Sequence, residues 1–149
     1  MKSKLYVTNW QAIIGENNQS VATGFILLWR PTNTNDFNHR YSNGTAVADA
    51  TYSNFFQGLD DQWIHIVTVC DYTNKTAKAY RNGIQFGATV TLTGTPVFPS
   101  TNNVKYIGAY NTNQRSVTDG SLDEVRIYNR GLSDDEVMAI YNQTKSNYE

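Results

Sequence analysis

The chain has 149 residues, the length of one ordinary domain, and its 12 Lys and Arg against 13 Asp and Glu leave a net charge of −1. A charge this small, without a basic block, argues against nucleic-acid binding, and apolar runs of about five residues are far too short for membrane insertion. A hydrophobic content of 40% excludes a disordered chain.

The first residues, Met1–Leu5, lack the apolar stretch of a signal peptide. We therefore expect either a cytosolic protein or a segment of a longer secreted chain. The single cysteine, Cys70, cannot form an intramolecular disulfide. It ends the apolar run Ile64–Cys70, which predicts a buried thiol that packs as a small hydrophobic side chain.

Short β-rich runs alternate with stretches of Asn, Thr, Gly and Pro between residues 5 and 129. Many short strands at regular spacing predict an antiparallel sandwich or barrel. The predicted strands are Leu5–Thr8, Ala12–Gly15, Phe25–Arg30, Ala46–Tyr52, Trp63–Asp71, Thr76–Arg81, Ile84–Phe86, Val104–Tyr110 and Leu122–Tyr128.

Two local motifs have specific structural meaning. Asn82-Gly83 lies between two predicted strands, and both residues tolerate the positive φ of a type I′ hairpin turn. Ser133 and Glu136 have the spacing of a capping box, in which their side chains bond the free N–H groups of a first helical turn. The sequence therefore predicts one helix, which begins after Ser133 and ends near residues 142–144.

Three sequence motifs occur in order along the chain: Trp63–Val69, Ala79–Gly83 and Gly120–Tyr128. Together they resemble the laminin-G-like domains of the concanavalin A-like lectin/glucanase superfamily. The resemblance implies an all-β, antiparallel, two-sheet jelly-roll sandwich with one short C-terminal helix, formed by residues 1–149 as a single domain. Such domains usually begin with one or two further strands, which this chain lacks, so we expect an open sheet edge through which a homo-oligomer could form.

The predicted strand Leu122–Tyr128 places Asp123 and Ile127 on one face and Glu124 and Arg126 on the other. The two carboxylates then point apart, which excludes the paired acids of a glycosidase. Glu124 and Arg126 are expected to form a surface ion pair. An inward Asp123 needs partners, and two alternatives remain open: a Ca²⁺ site, which the resemblance implies, or a purely structural hydrogen-bond anchor.

Residues 36–41 read as a polar, aromatic loop that combines stacking rings with amide and guanidinium groups. Carbohydrate recognition uses this mixture, because sugar faces are apolar while their hydroxyls need planar donors and acceptors. The candidate ligand-binding residues are Phe37, Asn38, His39, Arg40, Tyr41 and, from a second loop, Tyr110.

The sequence lacks the Glu-x-Asp-x-x-Glu strand of the superfamily's glucanases and every common nucleophile motif, so we expect no catalysis. The favoured interpretation is an extracellular or surface-associated module, part of a longer chain, that binds carbohydrate or a glycosylated protein surface in adhesion or targeting. One alternative is an assembly module of an exported or phage particle protein without a small ligand. A glycoside hydrolase is a weaker alternative.

Overall fold

The structure is a computed structural model, and it describes residues 2–3, 11–16, 26–31, 34–98, 104–109 and 120–148. Helix α1 spans Asp134–Thr144 and continues into a 3-10 turn at Lys145–Asn147. The strands of the described residues are β1 (Lys2–Ser3), β2 (Gln11–Glu16), β3 (Ile26–Arg30), β4 (Phe37–Ser42), β5 (Val47–Tyr52), β6 (Ile66–Asp71), β7 (Thr76–Arg81), β8 (Ile84–Thr91), β9 (Lys105–Ile107) and β10 (Gly120–Ser121).

These strands form two main antiparallel sheets, and the predicted class, a jelly-roll sandwich with one short C-terminal helix, is confirmed. The larger sheet has the order β5-β4-β3-β2-β9, and the smaller has the order β6-β7-β8. The short strands β1 and β10 form a separate antiparallel pair. Strand β1, near the start of the sequence, therefore lies beside β10, near its end.

An aromatic core fills the space between the sheets. Phe37, Phe55 and Phe56 are at most 2% exposed. The ring of Phe55 lies 5.0 Å from the ring of Phe37 in the larger sheet and 5.0 Å from that of Phe86 in the smaller sheet. Burying rings of this size provides much of the hydrophobic stabilisation of a sandwich.

The turn between β7 and β8 has the predicted type I′ geometry. Asn82 and Gly83 have φ values of 53° and 83°. A β-carbon at Gly83 would also lie 3.0 Å from the sulfur of Met138 in helix α1. Glycine is therefore required here both by the backbone and by the helix that packs on the turn.

Helix α1 packs on the outer side of the smaller sheet, and its capping box is confirmed. Glu136 N–H donates to the Ser133 hydroxyl at 3.2 Å, and Ser133 N–H donates to the Glu136 carboxylate at 2.8 Å. The buried side chains of Leu132 and Val137 pack with Tyr80 of β7. Local capping and this apolar contact together fix where the helix begins.

Strands β4 and β5 are joined by a turn that the side chain of Asn43 organises. Its Oδ1 accepts hydrogen bonds from Thr45 N–H at 3.2 Å and from Ala46 N–H at 2.8 Å. The main chain closes the turn with a bond from Asn43 N–H to the Ala46 carbonyl at 3.0 Å. The paired residues of β4 and β5 begin directly beside this turn, where Ser42 lies opposite Val47.

Two sequence-based predictions of elements are wrong. Residues 37–42 form the internal strand β4 of the larger sheet, not a loop. Residues 122–128 form no strand, because Glu124 has a φ of 52°, in the left-handed region, and this interrupts the extended backbone that a ladder needs. The predicted strand at Leu5–Thr8 lies outside the described residues. None of the helices among the described residues is both long and apolar enough to cross a membrane.

Candidate functional site

The predicted binding loop is divided by strand β4 between two faces of the larger sheet. Phe37, His39 and Tyr41 point into the core and are at most 2% exposed. The prediction that Phe37 and Tyr41 form a stacking surface in a loop is wrong, because successive side chains of a strand point to opposite faces and these two, with His39, face the smaller sheet. Asn38 and Arg40 point to the outer face.

His39 is held by a buried polar cluster between the sheets. Its Nε2 lies 3.2 Å from the Tyr72 hydroxyl, and its Nδ1 lies 3.1 Å from the sulfur of Cys70. Burial lowers the pKa of His39 to about 4 and raises the pKa of Cys70 to about 11. Both groups are neutral at pH 7, so this pair is not a reactive thiolate–imidazolium couple.

The outer face of the larger sheet carries a compact polar group that includes Arg40. Its guanidinium Nε and Nη2 donate to the two carboxylate oxygens of Asp49 at 2.9 and 2.8 Å. The same guanidinium lies 4.7 Å above the ring of Trp29. A two-pronged ion pair and a cation–π contact hold one arginine in a single orientation.

The pairing of β4 with its two neighbouring strands places two further polar side chains, Asn38 and Thr51, near Arg40 on the outer face. Asn38 lies opposite Trp29 on one side and opposite Thr51 on the other. Directly opposed side chains on one face are about 5 Å apart at their β-carbons. We name this group the sheet-face patch; it consists of Trp29, Asn38, Arg40, Asp49 and Thr51.

The hydrogen bonding of Asn38 in the sheet-face patch is incomplete. The residue is 6% exposed, and its Oδ1 is buried without a hydrogen-bond partner among the described residues. A buried acceptor left without a donor costs about 1–3 kcal/mol. Beside it, the side chains of Arg40 and Asp49 are 27% and 25% exposed. The sheet-face patch therefore combines a buried acceptor with a polar pair that is partly exposed to solvent.

Sequence reasoning named Asn38 and Arg40 but did not connect them with Trp29, Asp49 or Thr51. The signal for Asp49 and Thr51 was present in the predicted strand Ala46–Tyr52, where polar residues alternate with Ala48, Ala50 and Tyr52. The residues of β5 alone do not show which strand pairs with it. The remaining candidate, Tyr110, lies outside the described residues.

Asp123 is exposed and does not point into the sandwich, so the predicted inward orientation is wrong. Its Oδ2 accepts from the Tyr148 hydroxyl at 2.9 Å, and its Oδ1 accepts from Glu124 N–H at 2.8 Å. These two bonds lower the pKa of Asp123. The described residues contain no group of three or more His, Cys, Asp or Glu side chains that could hold a metal ion. Calcium binding stays a prediction.

A cleft of about 950 Å³ lies between strand β6, with the residues before it, and residues 122–132 with the C-terminal helix; Ile13, Leu28 and His39 of the larger sheet also line it. Its aromatic rings already contact one another. The ring of Trp63 lies 4.7 Å from that of Tyr148, and the ring of His65 lies 5.7 Å from that of Tyr141. The predicted ion pair between Arg126 and Glu124 is present at 2.6 Å. In this aromatic cleft these four rings are already paired within the chain, whereas Tyr128 in its lining is 42% exposed.

The fold defines the class of protein: a jelly-roll sandwich of two antiparallel sheets with one short C-terminal helix. A family model described as the concanavalin A-like lectin/glucanases superfamily matches residues 2–138. The chain belongs to this family, which confirms the resemblance found in its motifs.

Solved structures give the same fold. The IT-sialidase CBM40 of Ruminococcus gnavus matches with a TM-score of 0.67 at 20% identity, covering 93% of this chain and 78% of that chain. The same module bound to α2,3 sialyllactose matches with a TM-score of 0.65 at 20% identity, and its complex with α2,6 sialyllactose matches at 0.65 and 18%. These structures are carbohydrate-binding modules, not catalytic domains. No curated protein sequence matches the chain.

Proposed function

We propose that the chain is a non-catalytic carbohydrate-binding module and that its ligand binds on the sheet-face patch. The observation that carries the proposal is the unused acceptor of Asn38, buried beside the fixed pair of Arg40 and Asp49. Sugar hydroxyls can donate to such oxygens and accept from the guanidinium. The structural likeness to modules bound to sialyllactose supports a carbohydrate as the ligand class.

The charges of the sheet-face patch also favour binding over catalysis. Its one carboxylate, Asp49, is held in a two-bond ion pair with Arg40. Glycoside hydrolysis ordinarily needs two carboxyl groups, about 5–9.5 Å apart, that act on one substrate. The module would therefore hold a glycan or a glycosylated protein surface in an adhesion or targeting role. We propose that it acts outside the cell or at the cell surface.

Replacement of Asn38 tests the site. Asn38→Ala removes a buried acceptor without a partner, so the free energy of unfolding should stay unchanged or rise by about 1 kcal/mol. Affinity for the bound glycan should fall about tenfold, because the ligand loses a buried hydrogen bond. A glycan array identifies the ligand and calorimetry measures its affinity. Asn142→Ala, on the exposed helix surface, is the matched control.

The other outcomes separate the alternatives. Unchanged affinity in Asn38→Ala would place the ligand elsewhere, and Arg126→Ala then tests the aromatic cleft. An array without any bound glycan, together with a fixed oligomer in light scattering, would favour the assembly module. Hydrolysis of a polysaccharide would contradict the absence of catalysis.

A further inference from the structure

Among the described residues, the two main sheets have four edge strands, β5, β9, β6 and β8, and they differ in how well they are protected. Strand β9 has only three residues and carries Lys105. The pairing of β8 is irregular, and its Gly87 has a φ of 71°. Strand β6 borders the aromatic cleft. Short strands, lysine and bulges are devices that prevent edge-to-edge pairing. Strand β5 has none of them: its six residues pair with β4 without a register shift and include neither Lys nor Pro.

The hydrogen bonds between β4 and β5 show which backbone groups of β5 face away from β4. Asn43 N–H donates to the Ala46 carbonyl at the turn, so these two residues form a hydrogen-bonded pair. Along an antiparallel ladder, such pairs alternate with pairs that exchange no bonds. Val47, Asp49 and Thr51 belong to the second kind, so their N–H and C=O groups point to the open edge of β5.

The side chains at these three positions are exposed on the outer face of the larger sheet. Asp49 is the only charged residue of β5. Each of its carboxylate oxygens accepts one bond from Arg40, and a carboxylate oxygen has about two lone-pair sites. Because Arg40 lies on the β4 side of Asp49, a further donor can approach this carboxylate from the open edge.

A second copy of β5 is complementary to this edge. When two copies run antiparallel about a two-fold axis at Ala50, Asp49 of each copy lies opposite Thr51 of the other. The outward backbone groups of both residues then meet as hydrogen-bonded pairs, which gives four backbone bonds. Each Thr51 hydroxyl lies beside the Asp49 carboxylate of the other copy and can donate to it. An axis at Asp49 would instead place two carboxylates opposite each other, which is destabilising.

We propose that β5 is a dimerisation edge, at which two copies of the chain join their larger sheets into one continuous sheet. A net charge of −1 per chain adds little repulsion between the copies. The contact is narrow, so the dimer is weak and its population depends on concentration. The two sheet-face patches lie on one face of the joined sheet, with the Arg40 positions three strand spacings, about 14 Å, apart across the strands. If the proposed function also holds, on which this last consequence rests, the dimer binds a branched or repeated glycan through two sites.

Sedimentation velocity over about a hundredfold range of protein concentration tests the dimer. The wild-type sedimentation coefficient should rise with concentration from the monomer value towards the dimer value. Thr51→Pro removes an N–H that faces away from β4, so this variant should keep the β4–β5 ladder but lose two of the four bonds between copies. We expect it to dimerise at least about tenfold more weakly.

Thr91→Pro is the matched control, on the other exposed edge at β8. Leu92 N–H donates to the Lys75 carbonyl at 2.8 Å, so the N–H of the neighbouring Thr91 faces the open edge of β8 as that of Thr51 faces the open edge of β5. This variant should dimerise like the wild-type chain. Thermal melting checks that both proline variants fold.

A wild-type chain that stays monomeric at every concentration overturns the proposal, and so does equal dimerisation of the wild-type chain and Thr51→Pro. Should Thr51→Pro not fold, amide hydrogen exchange in the wild-type chain decides. The N–H groups of Asp49 and Thr51 should exchange more slowly as the concentration rises, whereas that of Ala50, which faces β4, should not change. Exchange at Asp49 and Thr51 that is independent of concentration overturns the dimer. Glycan binding by a monomeric chain would leave the proposed function intact.

Discussion

The hydroxyl of Tyr80 donates to the carboxylate of Asp134 at 2.6 Å, which ties strand β7 to the first turn of helix α1. Lys78 Nζ lies 3.1 Å from the same oxygen. These contacts lower the pKa of Asp134. They add a polar attachment to the apolar packing of Leu132 and Val137 against Tyr80.

Removing the Tyr80 hydroxyl should destabilise the protein. We expect Tyr80→Phe to lower the free energy of unfolding by about 1–2 kcal/mol, because a hydrogen bond to a charged group is lost. Chemical denaturation measures the change. Tyr52→Phe is a matched control with the opposite expectation, since the buried Tyr52 hydroxyl has no hydrogen-bond partner among the described residues. Tyr52→Phe should leave stability unchanged or raise it, and equal losses in both variants would contradict the attachment.

Protonation of His39 should make the fold sensitive to mild acid. Its pKa is about 4 in the folded chain against 6.5 in the unfolded chain, so only the unfolded chain takes up the proton between these values. Stability must therefore fall as the pH drops through this window, by about 2 kcal/mol between pH 7 and pH 5. Unfolding by denaturant at several pH values between 7 and 5 measures the slope of the free energy of unfolding against pH.

Substitution of each histidine shows which residue causes the loss of stability between pH 7 and pH 5. His39→Gln should remove most of it, whereas His65→Gln should keep most of it. Burial lowers the pKa of His65 as well, so a smaller contribution from this residue is expected. If His39→Gln kept the full slope, the titrating group would lie elsewhere.

Calcium addition tests the role of Asp123. Both of its carboxylate oxygens already accept hydrogen bonds within the chain, and calcium requires six to eight oxygen ligands. We therefore expect a structural anchor for Tyr148, with the same melting temperature in millimolar calcium and in EDTA. A calcium-dependent rise in the wild-type melting temperature that is absent from Asp123→Asn would establish a metal site instead.

Local chemistry made part of the fold predictable. The capping box of Ser133 and the turn at Asn82-Gly83 depend on residues within a few positions of one another, and both are present as predicted. Strand β4 was missed because its polar residues suggested a loop. Phe37, His39 and Tyr41 alternate with Asn38 and Arg40, and this period of two is the strand signal that was overlooked.

The sheet-face patch could not be predicted from spacing alone. Trp29, Arg40 and Asp49 belong to three different strands, and only the pairing of β3, β4 and β5 brings them together. In the same way, the alternating pattern of residues 122–128 predicted a strand, but a pattern says nothing about the backbone turn at Glu124. The sequence shows which residues of one strand share a face. The pairing of strands in the folded chain then determines which residues of different strands lie side by side.

The turn at Asn43 lies only three residues after Arg40, so its length affects the arrangement of the sheet-face patch. One residue inserted into or deleted from this turn would shift β5 against β4 by one position and turn its side chains to the other face. Asp49 would then point into the aromatic core, and Ala48 after an insertion or Ala50 after a deletion would take its place beside Arg40. The length of a four-residue turn therefore determines whether Asp49 can pair with Arg40 on the outer face of the larger sheet.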